Sequence, residues 1–302
     1  MTDKTNFEPT VFSLRKLSNS KEADPFRSLT FPAYRNFLEF NALDGEILAI
    51  GAIKDDTPCG LILLKINSVL RKAELLSIFI TPRFRKQGIA LLLMQKILAE
   101  CKILNLQKIF ATYMNNQITI KDMEGLLKKT GWSPPLVRML VVHCTLESIH
   151  KAPWLNRFFP PKGYQVVSWA SVTKSERAAL IASNIQTPWI QSDLVPFDYE
   201  KNYDQATSVA LKVNGAILGW CLTHAVAGTL RFTCSFVRND LQRLGRIILL
   251  YDEAVARMSK AGYTVGMWTI PVTNKRMIEF ARKHMQPYSI IFAETRGVEF
   301  DF

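Results

Sequence analysis

The alternation of apolar and polar positions predicts a chain of short strands and amphipathic helices that runs through the same order twice. Residues 11–17 read as a strand. Across 25–40, Phe26, Leu29, Tyr34 and Leu38 recur at helical spacing. The β-rich runs at 47–53 and 59–66 flank Lys54-Asp55-Asp56-Thr57-Pro58, a turn signal, and predict an antiparallel hairpin. A strand at 74–81 stops at Pro82. A helix over 87–103, a strand over 108–113, a helix over 118–130 closed by Gly131 and an apolar strand over 138–145 follow.

The order then restarts. A strand over 164–172 and a helix over 174–185 precede a hairpin of 208–213 with 217–224, turning at Asn214-Gly215, the strongest short turn signal in the chain. Next come a strand over 230–237, a helix over 241–261, a strand over 264–269, a helix over 275–284 and a strand over 288–294. Marker residues keep a common offset: Gly60 and Gly219 stand 159 apart, Gly88 and Gly245 157, Asn116 and Asn274 158. Three ordered matches inside matching elements argue for an internal duplication. The expected division is a first domain over 1–150 and a second over 164–302, with the proline-bearing stretch at about 151–163 as linker. At 302 residues, each half is long enough for its own core.

The segment with chemical content is Ala73-Glu74-Leu75-Leu76-Ser77-Ile78-Phe79-Ile80-Thr81-Pro82-Arg83-Phe84-Arg85-Lys86-Gln87-Gly88-Ile89-Ala90. A strand feeds a cationic turn and then a long apolar helix. The first N–H groups of that helix lack partners and, with the helix dipole, form an anion site. Gly88 admits close backbone approach and Ala90 leaves it clear. The pattern Arg85-x-x-Gly88-x-Ala90 resembles the acetyl-CoA-binding motif of the GNAT superfamily. Asn115-Asn116 and the helix ending Lys128-Lys129-Thr130-Gly131-Trp132 resemble that family's downstream signature, so the likeness covers about residues 10 to 146.

The resemblance implies an α/β (α+β) protein of two tandem GNAT-like domains, each a mixed, mostly antiparallel central sheet flanked by helices. It implies an acyl-CoA-dependent N-acyltransferase that moves an acyl group from acetyl-CoA or a longer, fatty acyl-CoA to a primary amine, with no metal. Arg85, Lys86, Gln87, Gly88, Ile89 and Ala90 would hold the pyrophosphate, Asn116 the pantetheine arm, and backbone N–H groups near Phe79 and Ile80 the thioester carbonyl. Glu74 is the candidate base; Glu124, expected on the wet face of its helix, ranks lower. Many relatives carry a Tyr acid four residues before the Gly of the ending; here that position is Leu127, and Tyr113 is the nearest replacement. In the second half the motif reads Gln242-x-x-Gly245-x-Ile247 with Asp240 beside it, and both Ile247 and Asp240 oppose CoA binding. His224 and Cys234 in that half read as structural residues. In N-myristoyltransferase, which shares the doubled plan, the chain's C-terminal carboxylate is the base, and this chain ends Glu299-Phe300-Asp301-Phe302.

Composition narrows the partners. The net charge of +12 suits anionic ligands such as CoA or an acyl carrier protein. No Lys/Arg-rich run or zinc-finger spacing occurs, which argues against nucleic acid, although an RNA-linked acetyltransferase remains an alternative alongside an inactive acyl-CoA sensor or interaction module. The acceptor is read as a peptide, protein side chain or small molecule. The five cysteines form no CxxC pair, which fits free thiols in a reducing compartment. The polar start and the lack of a span-length apolar stretch predict a cytoplasmic protein, and both a monomer and a homodimer stay open.

Overall fold

A computed structural model describes residues 12–41, 46–155, 157, 159–242 and 244–302. Two compact units emerge. One holds the described residues up to Val137 together with Arg296–Phe302, and the other holds Arg138–Thr295. The units therefore depart from the halves expected at 150 and 164. The stretch expected as a linker carries Trp154 and Leu155, both buried in the core of the second unit.

The first unit contains β1 (Ser13–Leu17), α1 (Ser20–Ala23), β2 (Glu46–Lys54), β3 (Thr57–Asn67), β4 (Lys72–Ile80), α2 (Ile89–Ile103), β5 (Lys108–Met114) and α3 (Ile120–Lys129). The sheet order is β1-β2-β3-β4-β5, all antiparallel neighbours except the parallel β4–β5 pair. β3 reads as a nearly unbroken apolar run because both of its faces are covered. Ile62, Leu64 and Ile66 pack on the side of α2, with Leu93, Met94 and Ile97. Leu61 and Leu63 pack on the other side, against Phe26, Leu29 and Leu38.

The second unit contains β6 (Leu136–Thr145, from Arg138 onward), α4 (Leu146–His150), β7 (Tyr164–Ser168), α5 (Lys174–Gln186), β8 (Val209–Val213), β9 (Ala216–Val226), β10 (Thr229–Val237), α6 (Asn239–Gln242), α7 (Arg246–Lys260), β11 (Val265–Pro271) and α8 (Lys275–Phe280). Its sheet runs β6-β11-β10-β9-β8-β7. α7 buries Ile248, Leu249, Leu250 and Tyr251 on one face of it, and Trp169, Trp220 and Phe236 form the core on the other. β12 (Ile291–Asp301) is shared: its start belongs to the second unit, beside β6, and its end to the first, beside β5.

Several elements differ from the periodicity. The helix expected over 25–40 is two 3-10 segments, Asp24–Leu29 and Pro32–Glu39. Phe31 precedes a proline and is extended (φ −60°, ψ 145°), which interrupts the helix. The helix expected over 241–261 is split at Gly245, whose φ of 67° is left-handed. The final strand continues past 294 to Asp301, so the acidic tail is strand rather than a free end.

Gly51 shows how tightly the first unit is packed. A Cβ there would stand 2.4 Å from the Phe26 ring, which is 2% exposed and has nowhere to move. Gly51→Ala is expected to destabilise the protein by about 1–3 kcal/mol, read by urea unfolding; unchanged stability would show that the ring does not lie flat on β2.

Candidate active site

The site begins with a strand that leaves its neighbour. β4 and β5 pair only over Lys72–Glu74 and Lys108–Phe110, although β4 continues to Ile80 and β5 to Met114. On its other edge β4 stays paired to β3 up to Ile80, with a bulge that leaves Leu76 as an extra residue between the Leu63–Ser77 and Leu64–Leu75 pairs. A bulge bends its strand and increases the local twist, so β4 swings away from β5 and a V-shaped opening results. Ser77 and Thr30 share a buried hydrogen bond of 2.7 Å beside the bulge.

The open edge carries free donors. Thr81 N–H donates to the Cys59 carbonyl (2.9 Å), so its pair faces β3. Alternation along an antiparallel ladder then turns the N–H groups of Ile80 and Ile78 toward the opening and that of Phe79 toward β3. Of the two positions expected from sequence, Ile80 turns its N–H to the opening and Phe79 turns its N–H to β3; Ile78 shares the opening with Ile80.

The turn after β4 is built by its own motif residues. Arg85 Nε donates to the Ile80 carbonyl (3.0 Å), and its guanidinium lies over the Phe79 ring. Arg85 thus latches the turn to the strand. Lys86 adopts φ 61° and is exposed, and Gln87 Nε2 donates to the Arg83 carbonyl (3.3 Å). Gly88 is the N-cap of α2 with φ 84° and no side-chain cap. The first N–H groups of the helix, at Ile89 and Ala90, lack intrahelical acceptors. A Cβ at Gly88 would meet nothing within 4 Å, so open space lies over the helix N-terminus. That cradle fits the approach of a pyrophosphate.

The remaining candidates are distributed around this opening. Glu74 lies at the closed vertex of the V, in the last β4–β5 pair. Tyr113 lies on the open part of β5 and packs into the α2-side core with Ala73 and Leu75. Neighbouring β4 residues alternate in face, so Glu74 and Tyr113 are on opposite faces of the sheet. Tyr113 Oη donates to Glu124 Oε1 (3.1 Å), which also accepts from Arg296 Nη1 (2.9 Å). Glu124 is therefore half-buried in a network rather than on a wet face. Reading the sequence ranks it low and does not single out Arg296, because only the return of β12 brings that residue to α3. Asn116 is exposed in the turn between β5 and α3 and does not cap the helix; Thr119 holds that place. Leu127 is 2% exposed in the core, so no acid can act from its position.

Residues 12–124 match the model of the Acetyltransferase (GNAT) family. The first unit is a GNAT domain. The whole chain is similar in fold to a GCN5-related N-acetyltransferase from Sphaerobacter thermophilus (TM-score 0.60, 16% identity, 96% of this chain and 95% of that one). It is also similar to a tandem GNAT protein from the clavulanic acid biosynthesis pathway (TM-score 0.59, 11% identity, 96% and 98% covered). A glucosamine N-acetyltransferase region of a fungal multi-domain β-N-acetylglucosaminidase is a third likeness (TM-score 0.58, 12% identity, 97% of this chain and 38% of that one). At these identities the likeness is one of fold, and the fold is the tandem GNAT arrangement. No curated protein matches the chain in sequence. The chemistry of the family is acyl transfer from acyl-CoA. Among the described residues no helix is long and apolar enough to cross a membrane.

The GNAT plan recurs in the second unit at atomic detail. β10 carries a bulge at Thr233, and β10 and β11 pair only over Leu230–Phe232 and Gly266–Trp268 before separating. Gln242 Nε2 donates to the Val237 carbonyl (2.9 Å), the counterpart of the Arg85 latch, and Gly245 is the left-handed N-cap of α7. Two details change the expectation. Asp240 is held by Arg238 through two bonds of 2.8 and 2.9 Å, so its charge is compensated. Asn274 Oδ1 accepts from Met277 N–H as the cap of α8, so it does not repeat Asn116. His224 uses both ring nitrogens on Thr233 and the Lys201 carbonyl. Burial pushes the Cys234 thiol up to about 12, which suits a core residue. Phe302 N–H donates to the Gln107 carbonyl, before the start of β5, so the end of the chain lies beside the paired part of β5 and not along its open part.

Burial first, and then the bond to Glu124 and its charge, hold the Tyr113 phenol above its ordinary value of 10.0, with Arg296 opposing. A raised folded-state value contributes stability that is complete below the unfolded value near 10 and is lost as pH rises beyond it. Tyr113→Phe is expected to lessen the alkaline loss of stability above about pH 10, measured by urea unfolding across that range. An unchanged alkaline slope would mean that this network does not hold the phenol's proton.

Proposed function

We propose that the first unit is an active N-acyltransferase that binds acetyl-CoA or a longer acyl-CoA and acylates a primary amine on a peptide, protein side chain or small molecule. The observation that carries this reading is the conjunction of the β4–β5 opening with the open cradle over Gly88. The N–H groups of Ile89 and Ala90, with the dipole of α2, are assigned to the pyrophosphate, and Lys86 adds charge beside it. Asn116 is assigned to the pantetheine arm. The N–H groups of Ile78 and Ile80 are assigned to the thioester carbonyl and to the oxyanion that develops on it.

The amine must lose a proton before it attacks. Glu74, at the vertex of the opening, is assigned as the base, directly or through water. Tyr113 is assigned a donor role from the opposite face. A phenol held above its ordinary value keeps its proton, and its single O–H donates to Glu124, so serving the leaving sulfur requires that O–H to turn from Glu124 to the sulfur. The burial of Leu127 favours a second reading, an acyl-CoA-binding module without turnover, since the family's usual acid is missing there.

Calorimetry with acetyl-CoA and longer acyl-CoAs, together with an assay of CoA release over a panel of amines, tests both readings. Gly88→Leu is expected to weaken donor binding by about tenfold or more, while the left-handed backbone costs only about 1–2 kcal/mol of stability. Glu74→Gln is expected to lower kcat by about 10²–10⁴ with donor affinity unchanged. Donor binding without turnover of any amine would favour the binding module. Absence of binding by any acyl-CoA would sink both.

A further inference from the structure

The second unit contains a cleft of about 1430 Å³ where β10 and β11 separate. Its apolar wall includes Trp154, Phe236, Ile247, Tyr251, Met277 and Phe280. Arg157, Lys275 and Arg276 stand at the same cleft, all three exposed. Among the described residues none of these three cations has a carboxylate partner. Two acidic side chains also line it. Asp240 is bound on both oxygens by Arg238, which leaves Asp193 as the one whose charge has no such partner among the described residues. The cleft is therefore apolar in its body and cationic at its polar edge. A π-helical turn, Ala281–Met285, brings His284 to the same wall, and such turns are frequent at functional sites.

We infer that this cleft is a second ligand site, and that its ligand is an amphipathic carboxylate whose alkyl or aryl body lies on Trp154, Phe236, Met277 and Phe280 with its head at Arg157, Lys275 and Arg276. The volume leaves room for a long apolar body. Two residues set this ligand apart from the nucleotide thioester of the first unit. Ile247 projects a branched side chain where Ala90 stands in the first unit and lines the cleft wall. Asn274 turns its carbonyl oxygen to the α8 cap rather than into the opening, where Asn116 makes no such cap. The duplication has thus kept the opening, the Gln242 latch and the left-handed Gly245, while the surfaces that would read a pyrophosphate and pantetheine have changed. This inference rests on the second unit alone and does not depend on the donor site of the first.

Calorimetry on the full chain with octanoate, dodecanoate, phenylbutyrate and the uncharged dodecanol is the test. Dodecanoate is expected to bind one site per chain, about tenfold or more tighter than octanoate. The double variant Lys275→Glu/Arg276→Glu, at two exposed positions, is expected to weaken it by about tenfold or more, and Arg85→Glu to leave it unchanged. Equal binding of dodecanol would overturn the carboxylate assignment. Displacement of dodecanoate by CoA from the Arg85→Glu protein would make the cleft a nucleotide-thioester site instead. Loss of dodecanoate binding in Arg85→Glu but not in the double variant would move the ligand to the first unit, and no saturable binding of any probe would remove the site. Failure of the first unit to bind acyl-CoA would leave the inference standing.

Discussion

The separation of β4 from β5 is the constraint on which the first unit is organised. A parallel pair that held its register from Lys72 to Ile80 would use the N–H groups of Ile78 and Ile80 in the sheet and leave nothing for a ligand. The extra residue at Leu76 prevents that. It bends β4 while β3 stays paired to it, so the edge that opens is the one facing β5. The motif turn is a consequence: β4 arrives at Thr81 at an angle that lets Arg85 fold back onto the Ile80 carbonyl and sets Gly88 in the left-handed region at the head of α2. A site made of backbone donors and a helix end is rigid because the scaffold itself supplies it.

The same device in the second unit shows which parts of the plan are geometry and which are chemistry. The bulge, the strand separation, the side-chain latch and the left-handed glycine all recur. Arg can be exchanged for Gln at the latch because each needs only one N–H aimed at a carbonyl. The small residue after the glycine cannot be exchanged for Ile without changing what reaches the helix end. Fold and recognition can differ between the units because the first depends on backbone hydrogen bonds and the second on a few side chains.

The C-terminal segment completes the first unit. Val298 is buried in its core, Phe300 packs on Trp132, and Lys108 pairs with Glu299 and Asp301. Through Arg296 the same strand reaches Glu124, which in turn holds Tyr113. A residue almost at the end of the chain therefore shares the carboxylate that holds one on β5. No local pattern around Tyr113 or Glu124 announces that partner.

The element order, the duplication and the turn at the head of α2 were legible in the sequence, because strand and helix periods, turn residues and Arg85-x-x-Gly88-x-Ala90 are local signals. The division of the chain was not: residues 151–163 and the acidic tail look polar or irregular, and the bond of Trp154 to the His284 carbonyl and the pairing of the tail with Lys108 and Ser133 are made with residues more than a hundred positions away. Nor was the break in the helix over 25–40, where the proline at position 32 overrode the apolar spacing. At the site, the sequence by itself determined the helix end, the glycine and the charge of the turn. Tertiary structure decided that Ile78 rather than Phe79 shares the opening with Ile80, that Glu74 and Tyr113 lie on opposite faces, and that Asp240 is neutralised by Arg238. Each of these depends on strand register or on a partner's position, which pairing between distant segments sets and composition along the chain does not encode.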